Sequence, residues 1–492
     1  MKPIPPTILM DGYKASHRQQ YPNDTTLIYT NFTARGTKEP DVAGVIAFGM
    51  QYFVKEYLIR QWSEGFFKKP FYEVAKHYKR RLEYYLGQPV DVKHLEHLHN
   101  IGFLPLVVKA MPEGTLVPFR VPLLTLHNTD PQCFWLPGML ETLLSNVLWF
   151  TCTSATTAFL YRHTFEQFAA DTCDNNEHVK RQGHDFSMRG LECPEASCLS
   201  GAAHLLSFTG TDTIPAIDLL EEYYGANVEK ELVGMSVPAT EHSVMSLGSV
   251  YYPGGEFEQI ERLINLHSTG ILSIVADTFD FWRVMTEYFP KLKDKIMNRN
   301  GKIVIRPDSG DAIKIICGDH EAAPRGPEWD GAIGRLWQIF GGTINNKGYK
   351  VLDPHIGLTY GDSITRDLQR EILTALMNDG FASSNVTFGI GATTYQNATR
   401  DLYGFAMKAT YAETQSKGPL LIWKDPKTDS GIKRSAKGLL KVARDSTGKV
   451  VCKEECSWRE EDEGLLDVIY YNGKSYGEQT LTEIRQRVEE SL

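Results

Sequence analysis

The sequence predicts an α/β fold whose parallel strands deliver polar residues at their ends. Three observations carry this reading. Four apolar, β-rich runs recur between about residues 185 and 410, helical patterns lie between several of them, and each run stops at Asp, Arg or Gly. Strand, polar turn and helix, repeated, is the grammar of a parallel sheet. In βα barrels the C-terminal ends of the strands form the face where chemistry is done.

Taken in order, residues 1–150 read as an α+β region. Gly49 to Trp62 carries Met50, Phe53, Val54, Tyr57 and Leu58 at helical spacing. Val74 to Tyr85 reads as a second helix with a solvated face. Val107 to Leu126, with apolar residues among Pro and Gly, reads as short strands and turns. Residues 151–409 hold the parallel strands. Their runs are Ile271–Ala276 before Asp277, Ile303–Ile305 before Arg306-Pro307-Asp308-Ser309-Gly310, Ile356–Tyr360 before Gly361-Asp362, and Val386–Phe388 before Gly389-Ile390-Gly391. Ile364, Leu368, Ile372, Ala375 and Leu376 make one helical face that Gly380 can stop. Phe281 to Met297 is another helix, which Pro290 breaks or kinks. Residues 410–492 are polar and turn-rich and pack back on the first region.

Composition bounds the function. The 492 residues are 42% hydrophobic and 23% charged, which excludes a disordered, collagen-like or disulfide-miniprotein chain. Net charge is −9 with no basic block, against nucleic-acid binding. The eight cysteines form no regular framework, and neither Cys193/Cys198 nor Cys452/Cys456 has a second pair or spaced histidines beside it. They read as reduced thiols of a cytoplasmic protein, without a zinc framework. The N-terminus lacks an apolar h-region, and Thr142 to Tyr161 is too polar for a membrane span, so a buried helix is expected there.

Several residues can carry chemistry. An Arg306 fork binds phosphate oxygens, and Asp308 accepts from sugar hydroxyls or holds a metal-bound water; a plain turn with an Arg–Asp pair is the alternative. Asp277 and Asp280 suit Mg²⁺, or cap a helix. Gly389-Ile390-Gly391-Ala392-Thr393 resembles a phosphate-cradling loop but is neither a Walker A nor a Rossmann sequence. Arg400 and Lys408 supply nearby positive charge. His242, between Glu241 and Ser243, is a titratable candidate or a surface residue. Asp212 accepts from an amide ligand or caps a helix. Phe186 and Arg189 offer an aromatic plate and a cation, or plain packing. Together these residues describe an α/β enzyme handling a phosphorylated sugar or nucleotide with Mg²⁺.

The motifs, in this order, resemble the nicotinamide phosphoribosyltransferase family. The resemblance is carried by Asp11-Gly12-Tyr13-Lys14-Ala15-Ser16-His17 with Gln20-Tyr21-Pro22, Gly210-Thr211-Asp212-Thr213, Ser236 to Ser243, Arg306 to Gly310, Gly361-Asp362 and Thr399-Arg400-Asp401-Leu402. It spans residues 8 to 485. It implies an irregular type II phosphoribosyltransferase α/β barrel, with a flanking α+β domain built from both chain ends. It also implies a homodimer with shared active sites. The implied reaction joins nicotinamide to phosphoribosyl pyrophosphate, giving nicotinamide mononucleotide and pyrophosphate in NAD salvage.

The implied roles follow. Phe186 and the partner copy's equivalent of Tyr13 stack on the pyridine ring. Asp212 accepts the carboxamide N–H and repels nicotinate. Arg306 and Asp308 hold the nucleotide. Gly361, Asp362, Gly391 and Ala392 line ribose and 5′-phosphate, while Arg400 and Lys408, with the partner copy's equivalent of Arg35, meet phosphate or pyrophosphate. Arg189 and His242 meet pyrophosphate. Asp11 belongs to the substrate-binding set, and Asp277 holds Mg²⁺ through water. ATP phosphorylates His242. Ala392 replaces a family glycine, with a methyl that crowds the 5′-phosphate or is harmless at negative φ, and Asn397 stands where many relatives have Lys. The rival readings are a nicotinate phosphoribosyltransferase, which Asp212 argues against, and a weakly catalytic nucleotide-binding protein on the same scaffold.

Overall fold

Thr25–Thr33 is a mostly buried, β-branched and aromatic strand in the interior of a seven-stranded antiparallel sheet. In the computed structural model, which describes residues 4–361, 363–428 and 433–492, that sheet joins both ends of the chain. Its strand order is 418–421, 406–414, 25–33, 122–128, 106–110, 467–471, 474–475. The sheet belongs to one of two compact units, formed by residues up to 156, 219–226 and 398–491; the other holds 157–218 and 227–397.

Three segments depart from the expected boundaries. The shortest, 151–156, stays with the first unit, where Thr151 donates to Phe48 O and Thr156 accepts the Ile46 N–H. Residues 398–409 belong with the antiparallel sheet, because the strand Ala406–Thr414 pairs with Thr25–Thr33 from Ala406 onward. Residues 219–226 belong there too. Tyr223 donates its hydroxyl to Glu56, and Tyr224 donates to the fully buried Glu113 carboxylate, which also accepts from the Gly49 and Gln51 N–H groups. Gly49 to Trp62 is helical with its apolar stripe buried, but Phe53–Gln61 is wound to the wider π register. Val74, Tyr78 and Leu82 bury one face of the helix Phe71–Leu86, and Tyr84 and Tyr85 stay exposed. The helix Leu136–Thr172 is long and apolar enough to cross a membrane, yet 78% of its most apolar window is buried, as in a core helix.

The second unit is built on a parallel sheet. Its strands are β1 (Gly183–Asp185), β2 (Gly210–Thr211), β3 (Thr269–Val275), β4 (Asn300–Arg306), β5 (Ile356–Tyr360) and β6 (Val386–Ile390). They lie in the order β2-β1-β6-β5-β4-β3, and every neighbouring pair is parallel. Ile274, Ile303, Ile305, Leu358, Phe388 and Ile390 sit in one buried core. Fully burying such side chains contributes roughly 1.5–3 kcal/mol each.

The sheet's two edges are joined. Met235 makes a parallel bridge to Gly210 on β2, and Ala239 makes one to Ser273 on β3. The segment 235–240 therefore closes the sheet into an irregular barrel. The helix Arg366–Asn378 begins at the Thr365 cap and ends before Gly380, whose φ of +75° glycine adopts without strain. Phe281 to Met297 runs through Pro290: a π-helical stretch, Val284–Tyr288, ends where the last helix begins, so the proline falls in a first turn, where its missing N–H costs nothing.

Candidate active site

Five of the six strand ends, all but that of β3, supply a side chain or a glycine to one cavity of about 400 Å³, lined in part by Phe186, Arg189, Asp212, His242, Arg306 and Asp308. Phe186 follows β1, Asp212 follows β2, Asp277 follows β3, and Arg306 and Asp308 end or follow β4. Gly361 follows β5, and Gly391 with Ala392 follows β6. Asp362 lies outside the described residues.

Asp212 caps no helix. Its Oδ1 accepts from His184 Nε2 at 2.8 Å and from Ser236 Oγ at 2.7 Å. No donor among the described residues reaches Oδ2. Burial pushes this carboxyl up, but the His184 and Ser236 bonds and the Arg306 charge outweigh it, so the group sits below the usual carboxylate range. It is an anionic acceptor at neutral pH. Beneath it, Asp185 is fully buried and accepts from the Ser187 N–H and hydroxyl and from the Thr211 and Thr213 hydroxyls. That carboxylate locks the ends of β1 and β2 together. His204 ties the same region to the helix after β6. One ring nitrogen meets Tyr395 Oη at 2.7 Å and the other meets Gly210 O at 3.0 Å, and burial lowers its pKa to about 4.

The Phe186 ring is seated on glycines. A Cβ at Gly389 would come within 2.2 Å of the ring, and one at Gly361 within 3.0 Å. Gly389 therefore makes room for an aromatic plate, a different task from cradling phosphate. The Arg306 guanidinium lies 5.9 Å from the ring centroid and 3.8 Å from Asp308 Oδ2. Its Nε is buried without a partner among the described residues. An orphaned guanidinium donor costs free energy that an anionic ligand would offset.

Asp277 organises the other side. Its Oδ2 accepts from the Asp308 N–H at 2.9 Å and from Ser309 Oγ at 2.6 Å, and its Oδ1 lies 3.3 Å from His242 Nε2. The Asp277 side chain is 6% exposed and that of His242 is 50% exposed. His242 opens the helix His242–Tyr251. Ser243 donates to Glu241, so that carboxylate orients the serine more than the imidazole. Asp280 serves as a helix cap, accepting from the Arg283 N–H at 3.0 Å.

Ala392 is the first residue of a short helix, and its methyl points at the turn that carries Arg189. A Cβ built on Gly190 would lie 2.3 Å from the Ala392 Cβ. The extra methyl thus occupies space that Gly190 leaves open. Gly190→Ala is expected to cost about 1–2 kcal/mol in chemical denaturation, by overpacking. Pairing it with Ala392→Gly is expected to recover most of that loss.

The remaining predicted residues lie in the antiparallel unit. Arg35 and Lys408 line a separate cavity of about 240 Å³ with Asn31, Arg120 and Arg434. Burial lowers the Lys408 pKa; Glu141 opposes this, while Arg35, Lys424 and Arg400 add to it. That concentration of cations favours an anion. Asp11 bonds Thr142, whose hydroxyl donates to its Oδ2 at 2.8 Å, and Tyr13 is 61% exposed.

Comparison with known proteins gives this arrangement its family. The model of the nicotinate phosphoribosyltransferase (NAPRTase) family matches residues 181–459, and that of the nicotinamide phosphoribosyltransferase N-terminal domain matches residues 7–80. A nicotinamide phosphoribosyltransferase of Acinetobacter baylyi is 47% identical, covering 99% of this chain and 98% of its own. One from Mycoplasma pneumoniae is 35% identical over 81% of this chain and 88% of its own, and one from Xanthomonas campestris is 31% identical over 96% of each. Among solved structures, nicotinate-nucleotide pyrophosphorylase from Pyrococcus furiosus shares the fold, with TM-score 0.58 at 16% identity, covering 98% of this chain and 94% of that one. Human nicotinic acid phosphoribosyltransferase does so with TM-score 0.53 at 14% identity, covering 98% and 93%. With near full-length identity of this order and a type II phosphoribosyltransferase fold beneath it, the chain belongs to the nicotinamide phosphoribosyltransferase family, a family of pentosyltransferases.

Proposed function

We propose that this site joins nicotinamide to phosphoribosyl pyrophosphate in NAD salvage. The pyridine nitrogen attacks the anomeric carbon, the bond to the pyrophosphate oxygen breaks, and its electron pair leaves with pyrophosphate. The observation that carries the reading is Asp212 beside Phe186. An ionised acceptor with one oxygen uncommitted, next to an aromatic plate, suits a planar ring bearing a carboxamide N–H. A carboxylate in place of the amide meets like charge and offers no donor. Arg306, with its orphaned Nε, and Arg189 are the cations in this cavity for the phosphorylated partner.

Mg²⁺ fits this donor set at one remove. Both Asp277 oxygens are already engaged by protein groups, so Asp277 would hold the ion through water, with Asp308 as a second hard oxygen donor. When bound, the ion supplies charge neutralisation for the departing pyrophosphate. Asp277 also sets the state of His242. With a ring N–H turned to Oδ1, the other ring nitrogen keeps its lone pair. That is the state needed to take the γ-phosphoryl group from ATP with release of ADP, the coupling step assigned here to His242.

A second copy completes the proposal. Leu247, Val250 and Tyr251 are 71%, 82% and 75% exposed at i, i+3 and i+4 on the helix that begins with His242. Such a stripe is ordinarily covered. A homodimer would cover it and would bring the partner copy's equivalents of Tyr13, Arg35, Arg400 and Lys408 to the cavity. Eight free thiols fit a cytoplasmic setting.

The test supplies purified protein with phosphoribosyl pyrophosphate, Mg²⁺ and equal nicotinamide and nicotinate, with and without ATP, and reads products by mass spectrometry. Nicotinamide mononucleotide alone, formed faster with ATP, is the expected result. Nicotinate mononucleotide, or no product, would overturn the substrate assignment. His242→Ala is expected to bring the ratio of rates with and without ATP to about one; an undiminished ratio would remove His242 from the coupling.

A further inference from the structure

The antiparallel unit holds a mixed donor cluster that the phosphoribosyl chemistry does not use. His97 lies on the helix Lys93–Ile101, and Asp130 and Cys133 bracket the single turn Pro131–Cys133. One ligand atom from each, a ring nitrogen, a carboxylate oxygen and the thiol sulfur, lies within 4.8 Å of the other two. We propose that His97, Asp130 and Cys133 form a binding site for Zn²⁺, with water as the fourth donor.

The donor chemistry selects the ion. A nitrogen, a sulfur and one carboxylate oxygen are the set that zinc takes, whereas Mg²⁺ and Ca²⁺ require oxygen donors. The geometry is close to what zinc needs. Bonds of roughly 2.0–2.3 Å in a tetrahedral site put donor atoms roughly 3.3–3.7 Å apart. His97 Nε2 and Asp130 Oδ1 are already 3.1 Å apart. The His97 and Asp130 side chains are 30% and 29% exposed and Cys133 is fully buried, so solvent reaches the mouth and the thiol forms the base.

The turn is held in place before any ion arrives. Asp130 Oδ1 accepts from the Gln132 N–H at 2.8 Å, and the Asp130 carbonyl accepts from the Cys133 N–H at 3.0 Å and from Asn128 Nδ2 at 2.9 Å. Asn128 is itself buried and accepts the Ile28 N–H from the neighbouring strand. Hydrogen bonds of this kind, made behind the ligand atoms, fix ligand direction in metal sites. Zn²⁺ uptake forms the sulfur–metal bond, breaks the S–H bond and releases that proton to solvent; the imidazole binds neutral, its N–H on the remote nitrogen. No electron transfer is involved.

The competing account is a metal-free triad in which imidazole and thiol both donate to Asp130. Cobalt separates the two. The full chain, stripped with chelator, is titrated with Co²⁺ alone and followed by absorption. The proposal expects a thiolate-to-cobalt charge-transfer band that saturates at one equivalent and is displaced by Zn²⁺. Cys133→Ser is expected to abolish the band, and His97→Gln to weaken Co²⁺ binding by about tenfold or more. No band, a band that survives Cys133→Ser, or undiminished affinity in His97→Gln overturns the site. Should the buried serine variant not fold, the partly exposed His97→Gln decides alone. None of these readouts depends on turnover, so they stand or fall separately from the substrate assignment.

Discussion

Replacing Asp212 by Ala is expected to lower kcat/KM for nicotinamide by about 100-fold, while activity with nicotinate stays level or rises. A hydrogen bond to a charged, half-buried acceptor contributes roughly 1.5–3 kcal/mol, which is about 10- to 150-fold in rate. The loss exceeds one bond, because His184 and Ser236 both donate to the deleted oxygen and lose their anchor with it. Nicotinate gains from the removal of a like charge, so the preference narrows from both sides. Steady-state kinetics with the two bases checks it. A variant that keeps its preference for the amide would show that Asp212 does not read the base. Because the carboxyl sits below its usual range, the wild-type preference is expected to persist through mildly acid pH and to fail only as that group protonates.

Asp277→Asn is expected to cut ATP-coupled turnover by about 100-fold or more, although the side chain keeps its size. The amide can offer a carbonyl to one side only. Two donors, the Asp308 N–H and the Ser309 hydroxyl, face Oδ2, so the carbonyl stays there and the NH₂ turns to His242. The facing ring nitrogen must then accept, and the imidazole proton moves to the nitrogen proposed above as the nucleophile. A wrong tautomer held by one amide has cost about 10⁴-fold in a hydrolase triad. Phosphohistidine formed from labelled ATP is the direct readout; unchanged labelling in the variant would sever Asp277 from His242 chemistry. Asp277→Ala is a poorer probe, since it also releases the Asp308 loop.

The barrel was legible where most residues of a strand are buried or half-buried. Such strands read as continuous apolar runs, and the runs at Ile271, Ile303, Ile356 and Val386 all lie on strands. β1 and β2 left no such trace, because three and two residues are too few to show any period. Their end residues Phe186 and Asp212 were found through the motifs around them. Asp185 and His184 were not, since their work is to accept and donate between strand ends, and spacing carries no sign of that. Asp280 turned out to be the cap that local sequence allows, whereas Asp212, equally suited to capping, sits on a strand end. The segment 219–226 was placed in the barrel because the tyrosines that take it elsewhere bond to carboxylates more than 100 residues away in sequence. The His97–Asp130–Cys133 cluster has no linear signature either, because one of its members comes from a different element.

The barrel closes through a segment, Met235 to Thr240, in place of a further full strand. At one end Ser236 reaches Asp212; at the other the Thr240 hydroxyl accepts the Val275 N–H, two residues before His242 begins its helix. Side chains in extended backbone alternate sides, so one inserted or deleted residue in this stretch would turn one end or the other away from its partner. The residue count between the Asp212 contact and the start of the His242 helix therefore acts as a ruler. An added residue in a surface loop leaves these contacts alone, whereas in this stretch the spacing itself carries the geometry.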